Sequence, residues 1–218
     1  RFSLPMVLRA PYGGGIRAPE HHSESKEAFY AHEAGLKVVV PSTPYDTKGL
    51  LTSAIRDPDP VVFLEPKLIY RAFREEVPEE SYEVPLGEAA TRREGSDVSV
   101  FTYGAMTRPT IEAAEDLAEE GIDAEVVDLR TVSPLDIDSI VDSFKKTGRA
   151  VVVNEAPKSG GLAGEITAIL QERALLHQEA PVKRVTGFDV PVPLYAMEDY
   201  YLPNAARVAD GIRETVEF

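Results

Sequence analysis

The sequence predicts an α/β protein built in two parts, and three observations predict it. Short, nearly continuous apolar runs recur along the chain, LKVVV at 36–40, PVVFLEP at 60–66 and AVVVNEA at 150–156, as expected of strands buried on both faces of a parallel sheet. Between such runs lie stretches with apolar residues at helical spacing, opened by Ser, Thr or Asp and closed by Gly. The two series are separated by residues 74–95, REEVPEESYEVPLGEAATRREG, a charged stretch punctuated by Pro78 and Pro85 that shows neither period. Such a stretch suits an interdomain linker with a short strand.

Each element has a local reason. Residues 5–9 read as a strand, and helix signals run from Lys26 to His32 and stop at Gly35. After the strand at 36–40, Thr43 as N-cap, Pro44 at the first helical position and Asp46 three residues after the cap open a helix. Its apolar face is Leu50, Leu51, Ala54 and Ile55. With the strand at 60–66 this makes a right-handed strand–helix–strand crossover.

In the second part, strands are expected at 97–104, 124–130, 150–156 and 182–188. A helix over 109–120 carries Ile111, Ala114, Leu117 and Ala118 inward. Ser133, Pro134 and Asp136 repeat the Thr43 device before a helix with Ile137, Ile140, Val141 and Phe144, ended by Gly148. A helix with Leu162, Ile166, Ile169 and Leu170 inward follows, and a closing helix runs over 204–216. This half is a compact, mostly parallel α/β layer.

Composition narrows the function classes. At 218 residues, 43% hydrophobic and 28% charged, the chain is an ordinary globular protein with room for one large or two small domains. Its 37 acids against 23 bases, a formal charge of −14, disfavour nucleic acid and anionic membranes as partners and favour basic surfaces. That balance also suits a salty solution, in which self-repulsion is screened. With no cysteine there is no disulfide, thiolate metal site or cysteine nucleophile. Together with the lack of a long apolar run, this makes an intracellular, cytoplasmic location the expectation.

One stretch, RAPYGGGIRAPEHHSES over 9–25, carries a combination a packed core does not need. Gly13, Gly14 and Gly15 can take positive φ and approach a ligand closely, and a histidine on such a loop can give or take a proton near neutral pH. His22 is the candidate. The same residues also read as an ordinary turn and a solvated lead-in to a helix capped by Ser25. TYGAMT, Asp128 with Arg130, and Glu155 stand at the carboxyl ends of strands, where open α/β sheets place ligands; structural capping of the sheet accounts for them better. RDPDP at 56–60 reads on its chemistry as a Pro-bounded turn with Asp57 and Asp59 in water, while a helix C-terminus beside them could also favour a cation.

PYGGG, EHHSES, HEAGLKVVVPSTPYDTKGLL and IRDPDPVVFLEPKLIYR, followed in order by FTYGAMT, VVDLRTVSPLD, KKTGRAVVVNEAP, GGLAGEI and YYLP, resemble the beta subunit of the decarboxylase component of 2-oxoacid dehydrogenase complexes. The resemblance runs the whole length of the chain. It implies the carboxyl two-thirds of such a subunit: the tail of a thiamine-type pyrimidine-binding domain at 1–75, a linker at 76–95, and a transketolase C-terminal-like domain with a mostly parallel sheet at 96–218.

The activity implied is oxidative decarboxylation of pyruvate or a branched-chain 2-oxoacid, with acyl transfer to lipoyl groups. Thiamine diphosphate would lie between an alpha and a beta subunit in an α2β2 assembly that also binds a dihydrolipoyl acyltransferase core and its lipoyl domain. The diphosphate and magnesium motif belongs to the alpha subunit in this family. The resemblance places His22 in the active-site channel as proton donor or electrostatic stabiliser, and a potassium site at Ala54, Asp57 and Asp59, largely through backbone oxygens. The glutamate that activates the cofactor falls upstream of Arg1, so the chain alone is expected to be inactive. An alternative is a non-catalytic assembly module binding partner subunits and the acyltransferase core. A transketolase or 1-deoxyxylulose-phosphate synthase relative fits PYGGG with EHHSES less well.

Overall fold

The computed structural model describes residues 2–18 and 21–218, so Glu20 of the EHHSES run lies outside the described residues. The chain forms two sheets. The first contains β1 (Val7–Tyr12), β2 (Lys37–Val39) and β3 (Val61–Pro66), with β1 and β2 each parallel to β3. Between β2 and β3 runs helix α2 (Pro44–Arg56), and before β2 the short helix α1 (Glu27–Ala31). The second sheet has the order β4 (Ala90–Arg93), β6 (Ala124–Asp128), β5 (Val98–Thr102), β8 (Ala150–Pro157) and β9 (Lys183–Gly187). It is parallel except for β4, which pairs antiparallel with β6.

Local sequence explains most of these elements. Thr43 caps α2 through Oγ1, which accepts the Asp46 N–H at 3.0 Å, and Pro44 sits in the first turn, where its missing donor costs nothing. Leu50 and Ala54 face the core and Leu51 is half-buried, but Ile55, one turn beyond Leu51, is 64% exposed. Gly49 is needed where residue 84 packs back on α2, because a Cβ there would lie 2.4 Å from Val84 Cγ2. Helices α3 (Thr107–Glu119) and α7 (Ala205–Val216) cover one face of the second sheet with Ala113, Leu117, Val208 and Ile212. On the other face, α4 (Ile137–Thr147) and α5 (Leu162–Ala174) bury Ile140, Phe144, Ile166 and Leu170. In α3 the inward face is Thr110, Ala113, Ala114 and Leu117, leaving Ala118 exposed. Among the described residues, no helix is long and apolar enough to cross a membrane.

Four local readings differ in the structure, two of them through strand pairing. Residues 124–130 do not form one strand. β6 ends at Asp128, Arg130 takes φ +56°, and the chain crosses to the first sheet as β7 (Thr131–Ser133), antiparallel to β2. Ser133 is therefore committed to pairing with Val38, and its Oγ donates to the Leu36 carbonyl at 3.1 Å. The cap of α4 is instead Asp136, which accepts the Ser139 N–H at 3.1 Å and the Ala89 N–H at 2.8 Å. Likewise α1 begins at Glu27 with no side-chain cap, so Ser25 does not cap it. A short helix α6 (Glu198–Tyr201) precedes α7, where local pattern marked no element.

A core cluster runs without a break from Val38, Val62 and Leu64 of the first sheet to Phe101, Val127 and Val152 of the second. Beside it lies a polar junction. Arg92 donates to both Asp46 and Asp128, the latter at 2.8 Å, and Arg130 donates to Asp46 Oδ1 at 3.1 Å and to the Glu88 and Ala89 carbonyls. Ser42 donates to Asp128. Asp128 and Arg130 thus meet through the Arg130 N–H, at 3.1 Å from Asp128 Oδ1, while the Arg130 guanidinium reaches across to α2.

Candidate functional site

The glycine run follows β1 directly and doubles back on itself: the Gly13 N–H donates to the Glu24 carbonyl at 3.3 Å, closing the base of a loop. Gly13 at φ +77° and Gly15 at φ +87° adopt backbone geometry that side chains resist. At Gly13 space also forbids one, since a Cβ would lie 2.5 Å from Glu155 Oε1. Against these bare amides stand two carboxylates of the second half. Glu155, at the end of β8, accepts the Gly14 N–H at 2.8 Å. Glu198, in α6, accepts the Gly15 N–H at 2.8 Å on Oε1 and the Arg17 N–H at 2.6 Å on Oε2.

Behind the loop is a third carboxylate. Glu27 is fully buried and accepts the Tyr103 hydroxyl at 2.7 Å. Its Oε2 and the Tyr12 hydroxyl are buried with no hydrogen-bond partner among the described residues. Burial raises the Glu27 carboxyl against the pull of the Tyr103 hydroxyl and the nearby Tyr12. It pushes Glu155 up to about 7, opposed by the Gly14 amide and by Lys67 and reinforced by Glu27 and Glu198. Burial beside Glu27 also lifts the Tyr12 and Tyr103 hydroxyls well above the usual phenol range.

His22 lies exposed on the turn that follows, next to His21 at φ +59°. Its carbonyl accepts a hydrogen bond from Lys67 Nζ, in the single turn after β3. The arrangement holds the backbone on both arms of the loop and presents an imidazole at its surface.

The loop's donors bear on the cofactor question. Gly14, Gly15 and Arg17 offer the backbone N–H groups a diphosphate would draw on, and all three are committed to carboxylates. This loop is therefore not a diphosphate cradle. No group of three or more metal-ligating side chains occurs among the described residues.

Ala54 sits buried in the last turn of α2, and its carbonyl accepts the Asp57 N–H at 3.4 Å. Asp57 and Asp59 are drawn to Lys37, whose Nζ stands 2.5 Å and 3.6 Å from their carboxylates, and Asp57 Oδ1 accepts the Asp59 N–H. Sequence reasoning noted Glu155 but not Glu27 or Glu198. The one available signal was acid set against apolar and aromatic residues, in KEAFYA and in AMEDYYL, where Asp199 stands beside Glu198.

The two α/β units in this order, joined by a connection packed on α2, define a transketolase-type chain. The description "Transketolase, pyrimidine binding domain" matches residues 1–72 and "Transketolase, C-terminal domain" matches residues 87–208. A split-gene transketolase described as an inactive beta4 tetramer superposes with a TM-score of 0.81 at 26% identity, covering 99% of this chain and 67% of that one. A transketolase mutant from Pichia stipitis shares the fold at a TM-score of 0.68 and 14% identity, over 99% of this chain and 31% of its own. The chain is 53% identical over its whole length to the pyruvate dehydrogenase E1 component subunit beta of Bacillus subtilis, covering 67% of that protein. It is 52% identical over 98% of its length to the Acholeplasma laidlawii subunit of the same name, covering 65% of it. The chain belongs to the family of pyruvate dehydrogenase E1 beta subunits and spans about two thirds of the length of those relatives.

Proposed function

We propose that the chain forms the His22-bearing part of the beta subunit of a thiamine diphosphate-dependent pyruvate dehydrogenase. The reading rests above all on identity of about half the residues, along the entire chain, with subunits of that name. Pyruvate is preferred to branched-chain 2-oxoacids for the same reason. The cofactor supplies the electron sink for decarboxylation. The chain supplies a placed imidazole, which donates a proton or stabilises developing charge as the acyl group passes to a lipoyl disulfide. The resemblance assigns the diphosphate and its magnesium to an alpha subunit, the partner in an α2β2 assembly, and loop amides already bonded to Glu155 and Glu198 accord with that. The Asp57 and Asp59 carboxylates share Lys37, and a potassium ion beside Ala54 would be held, as the resemblance implies, largely by main-chain oxygens. The acidic surface suits a basic docking domain of the acyltransferase.

An assembly-only role is the second reading, and a specific observation favours it: the split-gene transketolase of the same fold is described as an inactive tetramer of beta chains. One assay separates the two. The full-length beta subunit is mixed with its alpha partner, thiamine diphosphate and magnesium, and 2-oxoacid-dependent reduction of an artificial acceptor is followed over a panel of 2-oxoacids. Turnover with pyruvate that requires both chains is expected, and His22→Ala should cut lipoyl acylation by about 10²-fold or more, the lower range for a positioned proton donor. A well-formed complex without turnover, or an unaffected His22→Ala, would leave assembly as the function.

A further inference from the structure

We propose that Glu198 is a positioning residue: from the second half of the chain it clamps the backbone of the glycine loop and so sets where His22 stands. The proposal rests on the role given to His22 above.

Both oxygens of Glu198 are used, each by a different amide of the loop. Distances of 2.8 and 2.6 Å are those of charge-assisted bonds, and the residue is 1% exposed, so water does not compete for it. Two donors facing one side chain demand a group that only accepts. A carboxylate satisfies both, whereas an amide side chain would turn its own NH₂ toward one of them. The geometry therefore distinguishes Glu from Gln, which a general need for bulk would not.

The neighbours of Glu198 tighten the same grip. Asp199 takes the Arg17 guanidinium at 2.8 Å, and that guanidinium lies 5.3 Å from the centre of the Tyr195 ring. Arg17 is held at φ +54°, a conformation that a non-glycine residue keeps only when its surroundings impose it. On the other arm Lys67 holds the His22 carbonyl, and the Gly13–Glu24 bond closes the base. Among the described residues, the Gly15–Arg17 arm of the loop donates to α6, an element about 180 residues away in sequence. The second half of the chain thus has a direct part in placing the candidate catalytic histidine.

The test uses Glu198→Gln and Glu198→Ala in the full-length beta subunit assembled with its alpha partner, with Glu214→Ala, which removes the surface partner of Lys183, as control. Hydrogen exchange should accelerate about tenfold or more, the loss of one charge-assisted bond, at the Gly15 and Arg17 amides in Glu198→Ala and at one of them in Glu198→Gln. Exchange in β8 and α5 should be unchanged. The ring signal of selectively labelled His22 should move toward that of free histidine, and kcat for lipoyl acylation should fall about tenfold with KM for the 2-oxoacid unchanged. Glu214→Ala should behave as wild type throughout. Loop amides as protected in Glu198→Ala as in wild type would overturn the clamp. Faster exchange with an unmoved His22 signal would overturn the positioning role. If wild type itself turns over no 2-oxoacid, the functional reading fails while exchange and the His22 signal still decide the proposal. If Glu198→Ala does not fold, Glu198→Gln decides it.

Discussion

Two of the polar contacts that join the halves of this chain are built in opposite ways. At the junction of α2 with β6, the buried acids Asp46 and Asp128 face the guanidinium groups of Arg92 and Arg130, cation against anion. At the glycine loop, the buried acids Glu155 and Glu198 face backbone amides, which are dipoles and carry no net charge. The first contact supplies each carboxylate with a full counter-charge at every working pH, because arginine does not deprotonate. Burial raises the Asp128 carboxyl as well, against the pull of Arg92 and Ser42; the second contact supplies direction with little neutralisation beyond Lys67, and burial lifts Glu155 to about 7. A rigid strap and a titratable clamp hold the same two sheets, and the clamp is the one beside the candidate catalytic residue.

The strap is the contact whose loss costs most. Arg130→Met removes one of the two cations serving Asp46 and strands the Glu88 and Ala89 carbonyls it also serves. The expected loss is about 3–5 kcal/mol, the cost of leaving a buried charge short of its partner. Urea unfolding at pH 7 measures it, and a loss below about 1 kcal/mol would mean the junction is not buried in solution.

Glu155→Gln sharpens the contrast through pH. The carboxyl titrates near 4.5 when unfolded and near 7 in the fold, so between those values the native state holds a proton the unfolded chain has released. Its contribution is fully present below 4.5 and disappears as pH rises through 7, leaving wild type weaker at pH 8 by on the order of 2–3 kcal/mol. Glutamine keeps an acceptor for the Gly14 amide and has nothing to ionise. The variant should match wild type near pH 4.5, exceed it at pH 8 and show a flatter profile between. An unchanged profile from thermal melts across this range would remove Glu155 as the titrating group.

The smallest effect lies in the support of the strap. Thr43 caps α2 and its hydroxyl stands 2.9 Å from Asp46 Oδ2, so Thr43→Ala should cost about 1 kcal/mol, the usual price of an N-cap. A midpoint shift in urea without a change in slope would show it. A cost near that of Arg130→Met would mean the hydroxyl, and not the guanidinium, keeps Asp46 in place.

Much of the fold was readable one element at a time. The Thr43, Pro44 and Asp46 start, the apolar strands at 37–39 and 150–157, and the Gly148 stop at φ +69° each depend on neighbours within a few residues, and each stands where local chemistry puts it. The Ser133 start looked the same and failed, because β2 competes for that backbone from almost a hundred residues away. The candidate site divides along the same line. Glycines at 13–15 and a nearby histidine are visible in any reading of the chain, since glycine's freedom and imidazole's titration belong to the residues themselves.

By itself the sequence determined the α/β class, most of the helix starts and stops, and the loop that carries His22, all consequences of short-range sterics, capping and hydrophobic period. Only the tertiary structure decided that β7 joins the first sheet, that Asp46 and Asp128 share arginines, and that Glu155 and Glu198 close on the loop. Those contacts depend on where distant carboxylates land once the sheets pack, and an acid's partner, burial and charge state are properties of that packing.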